Sequence, residues 1–162
     1  MSVTLVLGGA RSGKSAVAER RAGLGAVTYV ATGVADADDD DMAARIAAHR
    51  TRRPSTWTTV EADDLVAAIR DSSGRLVIDS LTTWVARAPE FSIDAAALCK
   101  VLTGHDGEVI VGSDEVGLGV HPSTEPGRRF RDALGLVNQA VADVADEVWL
   151  VVAGRVLRLD PV

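Results

Sequence analysis

Residues 8–15 read Gly-Gly-Ala-Arg-Ser-Gly-Lys-Ser and meet the pattern G-x-x-x-x-G-K-[ST] through Gly8, Gly13, Lys14 and Ser15. The chemistry of that spacing is triphosphate binding. Glycines let the backbone curl with no Cβ in the way, so the amides from Gly8 through Gly9, Ala10, Arg11, Ser12 and Gly13 can converge on phosphate oxygens. A helix starting near Lys14 turns its positive end on the same anion. Lys14 can reach the β- and γ-phosphates, and the Ser15 hydroxyl can ligate Mg2+. A glycine turn that merely precedes Lys-Ser is the plainer alternative, but here an apolar run leads in and a helical pattern leads out. The motif gives the ligand class and leaves the reaction open.

Two further groups could join that chemistry. Leu76-Val77-Ile78-Asp79 is an apolar, β-branched run ending in a carboxylate. It reads as a Walker B strand whose Asp79 holds Mg2+ with Ser15; equally, a terminal Asp can cap the helix that follows. The second group is basic. On a helix from Asp38 to Arg53, residues Arg45, His49, Arg52 and Arg53 share one face. Guanidiniums around an imidazole disfavour its protonated form and can hold an anion beside it, which suits a histidine that attacks phosphorus. The helix C-terminal dipole acts the other way, and an incidental histidine on a solvated basic helix end fits the same residues.

Alternating strands and helices must position these groups. Leu5–Leu7 reads as a buried parallel strand, and 15–22 as a helix stopped near Gly23. Val27–Ala31 is a second strand. It runs into the small-residue turn Thr32-Gly33, with Val34 following, at the sheet edge that carries the phosphate loop. Pro54 ends the basic helix. Trp57–Glu61 alternates like a strand, 63–70 is helical, 81–88 and 93–102 are helical, and Val109–Val111 is another buried strand. A glycine-rich acidic loop, 112–119, then runs on through His121, Pro122 and Pro126 to a long helix over 130–144. A hairpin turning at Gly154-Arg155 closes the chain. The expected fold is one α/β domain spanning 1–162: a mainly parallel P-loop, RecA-like sheet with helices on both faces and an antiparallel C-terminal hairpin. His105 and His121 read as exposed loop histidines, Cys99 as a core residue, and Trp57, Trp84 and Trp149 as packing residues.

Composition narrows the class. The chain has 162 residues, 47% apolar, enough for a real core, and a net charge of −6, which disfavours a nucleic-acid partner. A single cysteine excludes an intramolecular disulfide and suits a reducing cytoplasm. No apolar run approaches membrane-spanning length, and the first is too short for a signal peptide.

Taken in order, these stretches resemble the bifunctional adenosylcobinamide kinase and adenosylcobinamide-phosphate guanylyltransferase family of cobalamin synthesis. The resemblance rests on Gly8–Ser15, on 42–54 (Met-Ala-Ala-Arg-Ile-Ala-Ala-His-Arg-Thr-Arg-Arg-Pro), on Trp57–Glu61 and on Ile78-Asp79-Ser80-Leu81-Thr82-Thr83-Trp84. It extends through 115–122, through Arg129-Phe130-Arg131-Asp132 to Asn138-Gln139, and to Val152-Ala153-Gly154. Ser80 stands where that family commonly has cysteine, and Ser113-Asp114 where it often has Ser-Asn. The resemblance implies that His49 attacks the α-phosphorus of GTP to form a guanylyl-histidine. It implies ATP or GTP as phosphate donor, Mg2+, a corrinoid acceptor and a homotrimer. Arg50, Thr51, Arg52 and Arg53 would then steady nucleotide phosphates. Glu61 would accept hydrogen bonds from guanine or ribose, although an exposed strand glutamate fits it equally well on physics alone. Two other classes use the same phosphate loop: a small-molecule kinase with a structural His49, and a nucleotide-dependent binding switch.

Overall fold

The computed structural model of the chain describes residues 2–33 and 53–161. Seven strands form one sheet: β1 (Ser2–Gly8), β2 (Val27–Ala31), β3 (Trp57–Glu61), β4 (Leu76–Ile78), β5 (Glu108–Asp114), β6 (Glu147–Val152) and β7 (Arg155–Leu159), in the order β3-β2-β4-β5-β1-β6-β7. Every neighbouring pair is parallel except β6 and β7, which run antiparallel. The expected mainly parallel sheet with an antiparallel C-terminal hairpin is therefore what the chain builds.

The inner strands read as continuous apolar runs because both of their faces are covered. On one face, α1 (Lys14–Ala22) lays Val17, Ala18 and Ala22 against Val6, Tyr29, Val77, Ile110 and Val151. On the other, α2 (Leu65–Arg70), α3 (Leu81–Arg87), α4 (Ala95–Gly104) and α5 (Glu125–Val144) bury Leu65, Leu81, Leu98 and Leu134 against Leu5, Leu76, Ile78 and Val111. Parallel strands put all their carboxyl ends on one edge, where ligands of such sheets bind. Gly8, Ala31, Glu61, Ile78 and Asp114 all lie on that edge.

Two expectations need correction, and a third is not tested. Helix α5 starts five residues before the expected Phe130. The Thr124 hydroxyl accepts from the Gly127 N–H at 3.2 Å, and Pro126 occupies the first turn, where its missing N–H costs nothing. His105 is not exposed: only 5% of its surface is accessible, and its Nε2 lies 2.8 Å from the Gly74 carbonyl oxygen. The basic helix expected over 38–53 lies outside the described residues except at its end, where Arg53 sits in a bend; a residue before proline avoids the α region.

Candidate active site at the carboxyl edge of the sheet

The phosphate loop hangs between the end of β1 and the start of α1. Gly13 takes φ +94°, a left-handed conformation that lets the chain turn directly into the helix at Lys14. At Gly8 the constraint is space. A Cβ there would run into the Ser12 hydroxyl and lie 2.8 Å from the Val151 carbonyl oxygen. Inside the loop the Ser12 N–H donates to the Gly9 carbonyl at 3.2 Å. From outside, the Gly154 N–H donates to the Ser12 carbonyl at 2.7 Å. Gly9, Ala10 and Arg11 are exposed at the mouth, and Arg11 itself adopts a positive φ of 56°. The loop is thus a curled backbone at a helix N-terminus, an arrangement that attracts phosphate.

Lys14 points back over the loop. Its ammonium forms an ion pair with Asp114 at the end of β5 and lies 3.5 Å from the Gly9 carbonyl oxygen. Asp114 is absent from the residues that sequence reasoning assigns to the site. The available signal was its position after a buried β-branched strand, the same context that draws attention to Asp79.

Asp79 follows β4, two strands from β1. The helix-cap alternative does not hold, because Ser80 caps α3: its hydroxyl accepts from the Thr83 N–H at 3.3 Å. The Asp79 carboxylate instead stands beside the Tyr29 phenol, on the α1 face of the sheet. Burial pushes the Tyr29 phenol far above its ordinary range, and the neighbouring Asp79 charge pushes the same way. The Arg53 guanidinium covers the Tyr29 ring at 3.3 Å from its centroid and donates to the Thr59 hydroxyl at 3.2 Å.

The remaining expected residues lie farther along the edge. The Thr32 hydroxyl donates to the Ser80 carbonyl at 2.6 Å and meets the Thr83 hydroxyl at 2.6 Å, so it is engaged within the protein. Arg87 donates to the Thr32 carbonyl at 2.9 Å, and Gly33 packs on the Thr83 side chain. Glu61 ends β3, four strands from β1, or roughly 19 Å at the usual strand spacing. Val34, His49, Arg50, Thr51 and Arg52 lie outside the described residues. Among the described residues no group of three or more His, Cys, Asp or Glu side chains could hold a metal by itself.

Comparison with known proteins adds what this geometry leaves open. The family model described as "Cobinamide kinase / cobinamide phosphate guanyltransferase" matches residues 4–159. The chain belongs to this family. Curated relatives named bifunctional adenosylcobalamin biosynthesis proteins agree. The Pseudomonas aeruginosa protein is 43% identical, with 96% of this chain and 95% of the relative covered. The Escherichia coli protein is 38% identical, with 93% and 95% covered. Among solved structures, the P4 protein of bacteriophage phi6 in complex with ADP superposes with a TM-score of 0.52 at 17% identity, covering 96% of this chain and 54% of that one. At that identity the likeness is one of fold alone. Among its described residues no helix is long and apolar enough to cross a membrane.

Proposed function

We propose that this protein phosphorylates adenosylcobinamide with a nucleoside triphosphate, and transfers GMP from GTP to adenosylcobinamide phosphate through a guanylyl-histidine at His49. The observation that carries the reading is a phosphate loop whose lysine is fixed over it, in a chain matched to the kinase–guanyltransferase family over residues 4–159. In the kinase step the acceptor hydroxyl oxygen bonds to the γ-phosphorus, the bond to the β-phosphate bridging oxygen breaks, and nucleoside diphosphate leaves. In the transferase step a His49 ring nitrogen bonds to the α-phosphorus and pyrophosphate leaves. A phosphate oxygen of the corrinoid then takes the GMP and frees the imidazole. Two easier displacements replace one difficult transfer.

The loop amides and Lys14 bind and orient the phosphates, stabilising charge that develops on their oxygens. Arg50, Thr51, Arg52 and Arg53 steady the nucleotide, Glu61 accepts from guanine or ribose, and Thr32, Gly33 and Val34 contribute to nucleotide binding. The hydroxyl of Ser15 and the carboxylate of Asp79 are hard oxygen donors of the kind Mg2+ takes, alongside phosphates and water. Both lie on the α1 side of the sheet, and a bound ion would neutralise phosphate charge. ATP and GTP are the substrates, the corrinoid is the acceptor, and the setting is cytoplasmic. A homotrimer is part of the reading. The outer edge of β7 has no strand beside it among the described residues, and Leu157 is 58% exposed. The test uses purified protein with adenosylcobinamide and separately γ- and α-labelled GTP. Both labels must reach the corrinoid; transfer of the γ-label alone would reduce the protein to a kinase.

A further inference from the structure

We propose that Asp114 is a positioning residue for phosphoryl transfer, holding the Lys14 ammonium over the phosphate loop through a bracket built from Thr82, Ser113 and Asn138. The proposal rests on the reaction assigned above for its readout of turnover, and on geometry alone for the bracket.

The ion pair between Lys14 and Asp114 is largely withdrawn from water, with side chains 15% and 24% exposed. At that depth a charge pair is screened far less than on a surface. An ammonium has three N–H donors. Asp114 takes one, the Gly9 carbonyl is within reach of a second at 3.5 Å, and the third is left for phosphate. Without Asp114 the four-carbon stem of Lys14 would have, among the described residues, only that long contact to the Gly9 carbonyl to direct it.

The backbone around Asp114 is gripped from three elements. Its N–H donates to the Thr82 hydroxyl on α3 at 2.8 Å. Its carbonyl accepts from Asn138 Nδ2 on α5 at 3.1 Å. Asn138 Oδ1 accepts in turn from the Ser113 hydroxyl at 2.6 Å. Ser113 and Asn138 are 0% and 5% exposed, a polar pair set on the apolar α5 face of the sheet. Burying such groups has a desolvation cost that two apolar side chains would avoid. What the pair adds is a fixed peptide on each side of Asp114. Thr82 lies three residues beyond Asp79, so the bracket also ties the acid of β5 to the segment carrying the acid of β4.

The charge of Asp114 gives the proposal a distinctive signature. A carboxylate beside the phosphate site repels the bound anion while it steers the ammonium. Asp114→Ala, which removes both the charge and the acceptor, should therefore bind GDP with Mg2+ about threefold tighter or more, by relief of like-charge repulsion. The same variant should transfer the γ-phosphate to adenosylcobinamide about tenfold slower or worse at saturating nucleotide, through loss of lysine positioning. A residue that merely supported the fold would weaken binding instead. Calorimetric GDP titration and single-turnover transfer, both on the full chain, measure the two effects. Thr82→Val removes one arm of the bracket while leaving the carboxylate in place, so it should slow transfer about twofold or more with GDP affinity unchanged, even if Asp114→Ala fails to fold. Weaker GDP binding by Asp114→Ala, or wild-type turnover in both variants, overturns the proposal. Wild-type protein that transfers no phosphate to the corrinoid overturns the assigned reaction instead, and GDP affinity still judges the bracket.

Discussion

The N–H of Gly154 donates to the carbonyl of Ser12 across 2.7 Å, so the turn between β6 and β7 holds the phosphate loop. The turn depends on positive φ at Ala153 (50°) and Gly154 (73°). A β-branched residue in that conformation is strained by about 1–2 kcal/mol. Gly154→Val is expected to lower the melting temperature modestly and to weaken nucleotide binding about tenfold, because the loop loses its outer anchor. Fluorescence titration with a labelled nucleotide measures it, and unchanged affinity would show that the contact does not shape the loop.

Gly8 tests the loop from inside. Its missing side chain leaves room for the Ser12 hydroxyl and the Val151 carbonyl. Gly8→Ala forces one of them to move, at about 1–3 kcal/mol by the usual cost of overpacking. Nucleotide affinity should fall at least in proportion, while Gly9→Ala, where a Cβ would meet nothing within 4 Å, should leave stability unchanged. Chemical denaturation of the two variants side by side decides it.

Tyr29 is the only tyrosine in the chain, so a tyrosinate absorbance band can come from no other residue. Its phenol is held well above the ordinary range by burial and by the Asp79 charge. An acid whose folded pKa is raised contributes stability in full below its unfolded pKa, near 10, and loses it as pH climbs past that value, because only the unfolded chain then releases the proton. Tyrosinate absorbance should therefore appear together with unfolding in alkali, not before it. Tyr29→Phe should flatten the alkaline loss of stability. Ionisation near pH 10 in the folded protein would contradict this environment.

Asp79→Asn separates the two uses of a carboxylate at the end of β4. Ser80, not Asp79, caps α3, so the variant should melt within a degree or two of wild type. Its Mg2+-dependent turnover should drop by about a hundredfold or more, the scale on which loss of one preorganised charge-stabilising group acts. Equal loss of fold and activity would return Asp79 to a structural role.

Much of this was legible in the sequence because it is written locally. The phosphate loop depends on glycines and a lysine at fixed offsets. The inner strands depend on short apolar runs covered on both faces, and α5 on its apolar stripe. What escaped depends on contacts between distant segments. Asp114 meets Lys14 across 100 positions, and Gly154 meets Ser12 across 142. No periodicity carries those pairings. They follow from β5 and β6 both flanking β1, a topology fixed only when the sheet assembles. His105 shows the converse error. A histidine between Gly104 and Asp106 looks like loop surface, and it is buried because its ring reaches the Gly74 carbonyl of another turn.

The central claim is that His49 becomes covalently guanylylated. Intact-mass measurement after incubation with GTP and Mg2+, without corrinoid, tests it most directly. Wild-type protein should gain the mass of one GMP, lost on treatment with acid and absent from His49→Ala. No mass gain on wild type, or the same gain on His49→Ala, would contradict it.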